Sequence, residues 1–226
     1  MKGCFVTGTD TGVGKTWVSA GLVRALQARG LTTLGMKPVA SGCEATAEGL
    51  RNEDAVVLRA TASHPLPYEL VNPYAFTPPI APHLAAEQAG VQIDLSRIEA
   101  CFAELADQSD FVVVEGVGGW AVPLNEREDV ADLAAALALP VVLVVGVRLG
   151  CLNHALLSAE AIKRRGLRLA GWVANLIEPE AACVQENICT LERRLGVPLL
   201  GRVPFATGLE PDAIADLVSV EPLVSG

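Results

Sequence analysis

Residues 8–16 run Gly8-Thr9-Asp10-Thr11-Gly12-Val13-Gly14-Lys15-Thr16, and their types suit the holding of a polyphosphate. Small residues let successive backbone N–H groups turn inward around an anion. A helix starting at the lysine adds the positive end of its dipole. Lys15 can reach the β- and γ-phosphates, and the Thr16 hydroxyl can hold Mg²⁺. The spacing departs slightly from the common pattern, since Thr9 stands where that pattern has glycine. A chance Gly-Lys-Thr at a helix start is the competing explanation. The apolar run Cys4-Phe5-Val6-Thr7 before the loop and the helical stretch after it argue against chance.

Further polar residues close apolar runs. Phe111-Val112-Val113-Val114 ends in Glu115, a carboxylate placed to accept from Mg²⁺ or its waters. Gly116-Val117-Gly118-Gly119 follows and lets backbone approach a ligand closely. The run ending at Lys37 continues into Pro38-Val39-Ala40-Ser41-Gly42, and Pro38 holds Lys37 extended at the edge of the sheet. A lone lysine there is usually a solvated charge; the Lys-Pro step and the Ser-Gly beyond it favour a functional one. Asn52-Glu53-Asp54 opens a helix, and spacing alone does not choose between the two carboxylates. Val147-Arg148-Leu149-Gly150-Cys151-Leu152-Asn153-His154 opens another helix whose N-terminus is free to hold an anion, although Asn153 and His154 serve equally well as ordinary first-turn residues. Asn175, at a strand end, can pair with a purine edge, and Pro204-Phe205-Ala206 can wall the same base. His64 and His83 lack metal-ligand spacing, and Trp17, Trp120 and Trp172 read as packing residues.

The elements that must position these residues alternate. Strands are expected at 3–7, 32–37, 110–115, 140–146, 169–175 and 198–203. Helices are expected at 15–29, 52–61, 83–89, 94–108, 128–138, 152–166, 179–195 and 211–218. Such alternation predicts an α/β fold, a doubly wound and mostly parallel sheet with flanking helices of the P-loop NTPase type. Ligands then bind beyond the carboxyl ends of the strands. The proline-rich stretch 65–82 reads as a rigid excursion inside a single domain covering 1–226.

Composition narrows the classes. The hydrophobic fraction is 51% with only 4% aromatics, so Val, Leu and Ala fill the core, as in sheets buried on both faces. A net charge of -9 argues against nucleic acid and against anionic membranes. No signal peptide or spanning run is visible, and six cysteines without a Cys-x-x-Cys read as reduced thiols of a cytoplasmic protein.

Several segments together resemble the dethiobiotin synthetase family. They are the loop 8–16, Lys37-Pro38-Val39-Ala40-Ser41-Gly42, Leu50-Arg51-Asn52-Glu53-Asp54-Ala55, Val71-Asn72-Pro73-Tyr74, Val114–Trp120, Leu149–His154 and Gly171-Trp172-Val173-Ala174-Asn175. The resemblance runs from about 3 to 206. It implies ATP- and Mg²⁺-dependent closure of a ureido ring from 7,8-diaminononanoate and CO₂ or bicarbonate in biotin biosynthesis, through a carbamate and its carbamic–phosphoric anhydride. It assigns Mg²⁺ to Thr16, Asp54 and Glu115, which is the basis for preferring Asp54 to Glu53. It gives Thr11, Lys15 and Lys37 to the reacting phosphoryl group or carbamate. Nucleotide contacts fall on Gly12, Val13, Gly14, Lys15, Thr16, Trp17, Asp54, Glu115, Gly116, Val117 and Gly118, with Asn175, Leu176, Pro204, Phe205 and Ala206 at the base. Substrate contacts fall on Lys37, Ser41 and Gly118. Leu149, Gly150, Cys151 and Asn153 are assigned to its distal carboxylate, contributed by the second subunit of a homodimer. Asn187 stands where some family members place a tyrosine on that carboxylate. A partitioning-type switch ATPase is the alternative; it predicts a basic C-terminal helix, and 207–226 contain no Lys or Arg.

Overall fold

Aliphatic runs without polar alternation need cover on both faces, and helices on the two sides of the sheet supply it. The computed structural model describes residues 3–224. In chain order the elements are β1 (Gly3–Gly8), α1 (Lys15–Gln27), β2 (Thr33–Met36), β3 (Val39–Ser41), β4 (Glu44–Thr46), β5 (Gly49–Arg51), α2 (Glu53–Thr61), α3 (Tyr68–Val71), β6 (Tyr74–Phe76), α4 (Pro82–Gln88), α5 (Leu95–Asp107), β7 (Phe111–Glu115), α6 (Val130–Ala136), β8 (Val141–Val147), α7 (Cys151–Arg164), β9 (Leu169–Leu176), α8 (Val184–Leu195), β10 (Leu199–Val203), α9 (Pro211–Ala215) and α10 (Glu221–Val224). Six strands form one parallel sheet in the order β10-β9-β8-β1-β7-β2. Every residue of β1, β7 and β8 is buried. Neighbours along β1 feed opposite layers. Phe5 packs with Leu34, Val114, Leu143 and residues of α5, α6 and α7, whereas Cys4 and Val6 pack with Val18 and Leu22 of α1.

The chain leaves β1 for β2 on one side and later passes from β7 to β8 on the other. Connections therefore diverge at the carboxyl end of β1, and a crevice opens there. The loop 9–14 fills it.

Some boundaries differ from the sequence expectation. The helix expected from 179 starts at Val184, because Cys183 takes a left-handed conformation (φ 52) that cannot continue a helix. The helix expected at 211–218 ends at Ala215, where the chain turns so that Ser219 N–H can donate to the Leu200 carbonyl at 2.6 Å. The helix expected from 128 starts at Val130, fixed by reciprocal capping between Asp129 and Asp132. Between 39 and 76 the chain also forms β3 paired with β6, the hairpin β4–β5 and α3. Three- and four-residue pieces carry no period to detect.

One buried network in that region supports the site. Tyr68 Oη donates to Asn72 Oδ1 at 3.0 Å and accepts from Asn52 N–H at 2.8 Å. Asn72 Nδ2 donates to the carbonyls of Lys37 (2.6 Å) and Tyr74 (3.1 Å). Asn52 caps α2 by accepting from Ala55 N–H. The strand end carrying Lys37 and the helix start carrying Asp54 are thus held by one set of bonds.

Candidate active site

The phosphate loop is shaped by two glycines with positive φ, Gly12 (74°) and Gly14 (83°). A Cβ on Gly14 would lie 2.2 Å from Asn175 Nδ2, so only glycine fits there. The loop is tied from outside at several points. Asn175 Nδ2 donates to the Val13 carbonyl at 2.8 Å, Thr9 N–H donates to the Val144 carbonyl at 3.0 Å, and Arg148 Nη2 meets Asp10 Oδ2 at 2.5 Å. Lys15 Nζ donates to the Asp10 carbonyl at 3.0 Å and lies under the loop, 6% exposed.

Four charges converge beneath it. Lys37 Nζ lies 2.6 Å from Glu115 Oε1 and 2.7 Å from Asp54 Oδ2, and it donates to the Gly116 carbonyl at 3.3 Å. Thr16 Oγ1 donates to Glu115 Oε1 at 2.9 Å. Burial, reinforced by the charge of Lys37, pushes the Lys15 ammonium down to about 8. Burial also opposes the charge of Lys37, but the Glu115 and Asp54 carboxylates outweigh it and hold its pKa above the usual lysine range. For Asp54, Lys37 overcomes burial and the pKa falls; for Glu115, wholly enclosed, burial prevails and the pKa rises.

These groups line a cleft of about 770 Å³. Thr11, Gly12, Gly14, Lys15, Thr16, Trp17, Lys37, Ser41, Asp54, Glu115, Val117 and Gly118 all line it, together with Pro79, Ile80, Ala81 and Pro82. Val13 and Gly116 lie behind: the Val13 side chain is in the core, and the Gly116 carbonyl accepts from Lys37. Asn175, Leu176, Pro204, Phe205 and Ala206 sit at the ends of β9 and β10, outside the cleft lining; Phe205 is exposed and Asn175 buried against the loop. Leu149, Gly150, Cys151 and Asn153 also lie outside it, at the start of α7, with Leu149 and Asn153 exposed and Cys151 buried. Trp120 and Trp172 are packing residues as expected, Trp120 edge-on to Phe5. Trp17 is not: it is 42% exposed and faces the cleft, because its place in the first turn of α1 points it past the core.

The oxygens present suit a hard divalent cation. Glu115 Oε2 is buried without a partner, beside the Thr16 hydroxyl and the Asp54 carboxylate. Ser41 Oγ is likewise buried and unpartnered at the cleft wall, a ready contact for a polar ligand.

A family model described as an AAA domain matches residues 2–213. The chain is 57% identical to the ATP-dependent dethiobiotin synthetase of Pseudomonas aeruginosa over 227 residues, covering 100% of both chains. It is 56% identical to that of Chromohalobacter salexigens over 224 residues, covering 95% of this chain and 94% of the relative. The chain belongs to the dethiobiotin synthetase family. Among solved structures, a chain of the MinC:MinD cell division protein complex of Aquifex aeolicus aligns with a TM-score of 0.59 at 17% identity, covering 96% and 86% of the two chains. A ParA family ATPase of Chlorobium tepidum aligns at 0.58 with 15% identity, covering 100% and 94%. Identities this low speak to the shared fold alone, the parallel sheet flanked by helices.

In this dethiobiotin synthetase family member, sequence reasoning overlooked four contributors. Asn72 and Tyr68 hold Lys37 and α2 from below; Asp10 and Arg148 tie the loop to the end of β8. The segment Val71-Asn72-Pro73-Tyr74 carried a family resemblance but no role; the role appears only once the structure buries Asn72, since a buried amide must find partners.

Proposed function

We propose that the chain converts 7,8-diaminononanoate, CO₂ and MgATP into dethiobiotin, ADP and phosphate. The observation that carries this is the presence of a second buried ammonium, Lys37, and the unpartnered Ser41 hydroxyl in the same cleft as the phosphate loop. A switch ATPase needs the loop; a second enclosed lysine and a free hydroxyl beside the transferring phosphoryl group suit an enzyme that also binds a polar co-substrate there.

The residues divide the work. The N–H groups of the loop and Lys15 hold the β- and γ-phosphates, and Thr11 at the loop's exposed tip contacts the transferring group. Thr16, Asp54 and Glu115 would hold Mg²⁺, which would neutralise charge on the phosphates when bound. Lys37 faces the carbamate formed when the neutral amine of the diamine attacks CO₂. Phosphorylation of the carbamate makes a mixed anhydride, and the second amine then closes the ring and expels phosphate. Positioning and charge neutralisation supply most of the acceleration such a transfer needs.

The base is read by Asn175, Leu176 and Pro204-Phe205-Ala206 beyond β9 and β10. The start of α7 lies outside the lining of the cleft, and Leu149 before it and Leu157 further along it are exposed. It fits a second copy of the chain, where Gly150 and Asn153 would receive the substrate carboxylate. All six cysteines are free and no described helix is long and apolar enough to cross a membrane, which suits work in the cytoplasm. Incubation with the diamine, MgATP and ¹³C-bicarbonate tests the reaction: a ureido carbonyl carrying the label is expected, and consumption of ATP without labelled product would refute it.

A further inference from the structure

Lys37 is fully engaged. An ammonium has three N–H donors, and this one has three acceptors: Glu115 Oε1, Asp54 Oδ2 and the Gly116 carbonyl. It is 3% exposed, and no donor is left for a substrate. The carboxylates that occupy it are the same two that, with Thr16, suit a divalent cation.

We propose that Lys37 and the divalent cation are alternative partners of Asp54 and Glu115. In the metal-free site the ammonium neutralises the two carboxylates; once a cation holds them, Lys37 turns into the cleft. Glu115 is fully buried, and a buried carboxylate cannot be left uncompensated, so some cation must attend the pair at every stage. With a divalent cation on the same oxygens, an ammonium at 2.6–2.7 Å from them is repelled. Its nearest alternative is an anion in the cleft beside Ser41. Glu115 Oε2, the oxygen Lys37 does not use, is buried without a partner, so the carboxylate keeps acceptor capacity for a cation that replaces the ammonium. The consequence is cooperative binding: the metal nucleotide and an anionic substrate group each favour the state the other needs. This rests on the reading of the cleft as a metal–nucleotide site and adds how its two halves are coupled.

The chain has four lysines, at 2, 15, 37 and 163, so protein labelled with ¹³C at lysine Cε gives few signals to resolve. The Lys37 signal is identified by its loss in Lys37→Arg. It is expected to move on addition of Mg·ADP and to stay in place with ADP alone. Equal movement with both, or no movement while calorimetry records Mg·ADP binding, would overturn the proposal. Independently, Mn²⁺ affinity of the nucleotide-free protein can be followed by electron paramagnetic resonance. Lys37→Met, which removes the competitor, should bind Mn²⁺ about tenfold more tightly than the wild type. Lys37→Arg, which keeps the charge, should bind much as the wild type does. Equal or weaker binding by Lys37→Met contradicts the competition. Neither measurement uses the diamine, so a failure here leaves the synthetase reading standing, and a failure of that reading appears only in the labelled product.

Discussion

Arg148, just beyond β8, meets Asp10 in the phosphate loop with 2.5 Å between Nη2 and Oδ2, joining the nucleotide loop to the segment that opens α7. Asp10 Oδ1 also accepts from Thr11 N–H at 2.8 Å, so the tie reaches the exposed tip of the loop. Both partners are partly exposed, so the pair is worth at most about 1 kcal/mol. Arg148→Met should therefore leave thermal stability nearly unchanged and weaken ATP binding by about two- to fivefold. Calorimetric titration checks this; unchanged affinity would mean that the loop keeps its shape without the tie.

Gly12 and Gly14 share a positive φ but not their surroundings. A Cβ on Gly12 meets nothing within 4 Å, whereas on Gly14 it would strike Asn175. Backbone strain of about 1–3 kcal/mol applies to both. Gly14→Ala adds the clash and breaks the Asn175 bond to Val13, so it should lose far more nucleotide affinity than Gly12→Ala. Equal losses in paired binding curves, at unchanged circular dichroism, would show that the brace has no role.

The low pKa of Lys15, about 8, has a consequence for pH. A bound polyphosphate favours the charged ammonium, so its pKa rises on binding. Between about 8 and the raised value, the free protein has lost the proton that the complex keeps. Nucleotide binding then takes up a proton and weakens as pH rises through this window. Titrations at pH 8.5 in buffers of different ionisation enthalpy should report proton uptake; Lys15→Arg should abolish it.

The carboxylates should separate by their burial. Asp54→Asn and Glu115→Gln both remove anionic oxygen and should raise the Mg²⁺ concentration needed for turnover, while Glu53→Gln, exposed at the rim, should not. Glu115→Gln alone should also lower stability, by about 3–5 kcal/mol, because it leaves the Lys37 ammonium without its fully buried partner. Asp54 is 37% exposed and its loss is softened by water. Metal dependence at Glu53 with indifference at Asp54 would show the wrong carboxylate was assigned.

Much of this was legible in the residues because the signals are local. The apolar run closed by Glu115 and the Lys37-Pro38 step after a short strand announced strand ends, and the glycine spacing announced the loop; the parallel sheet follows from the alternation of strands with helices. What was not legible depends on contacts between distant residues. Nothing near Asn72 says that it lies under Lys37, and nothing near Arg148 says that it reaches Asp10, 138 positions away. By residue type Trp17 reads as packing, and only the resemblance put it among the nucleotide contacts; set against the sheet, α1 turns it to the cleft. Asn175 reads as a base contact from its place at a strand end; its amide proves also to brace the loop through Val13.

The central claim is that this cleft couples ATP to the carboxylation and cyclisation of a diamine. ATP turnover measured with and without 7,8-diaminononanoate and bicarbonate tests it most directly. The account predicts that phosphate release depends strongly on both and that Lys37→Ala lowers the coupled rate by about 10²–10³-fold. Phosphate release at the same rate with and without the diamine would contradict it.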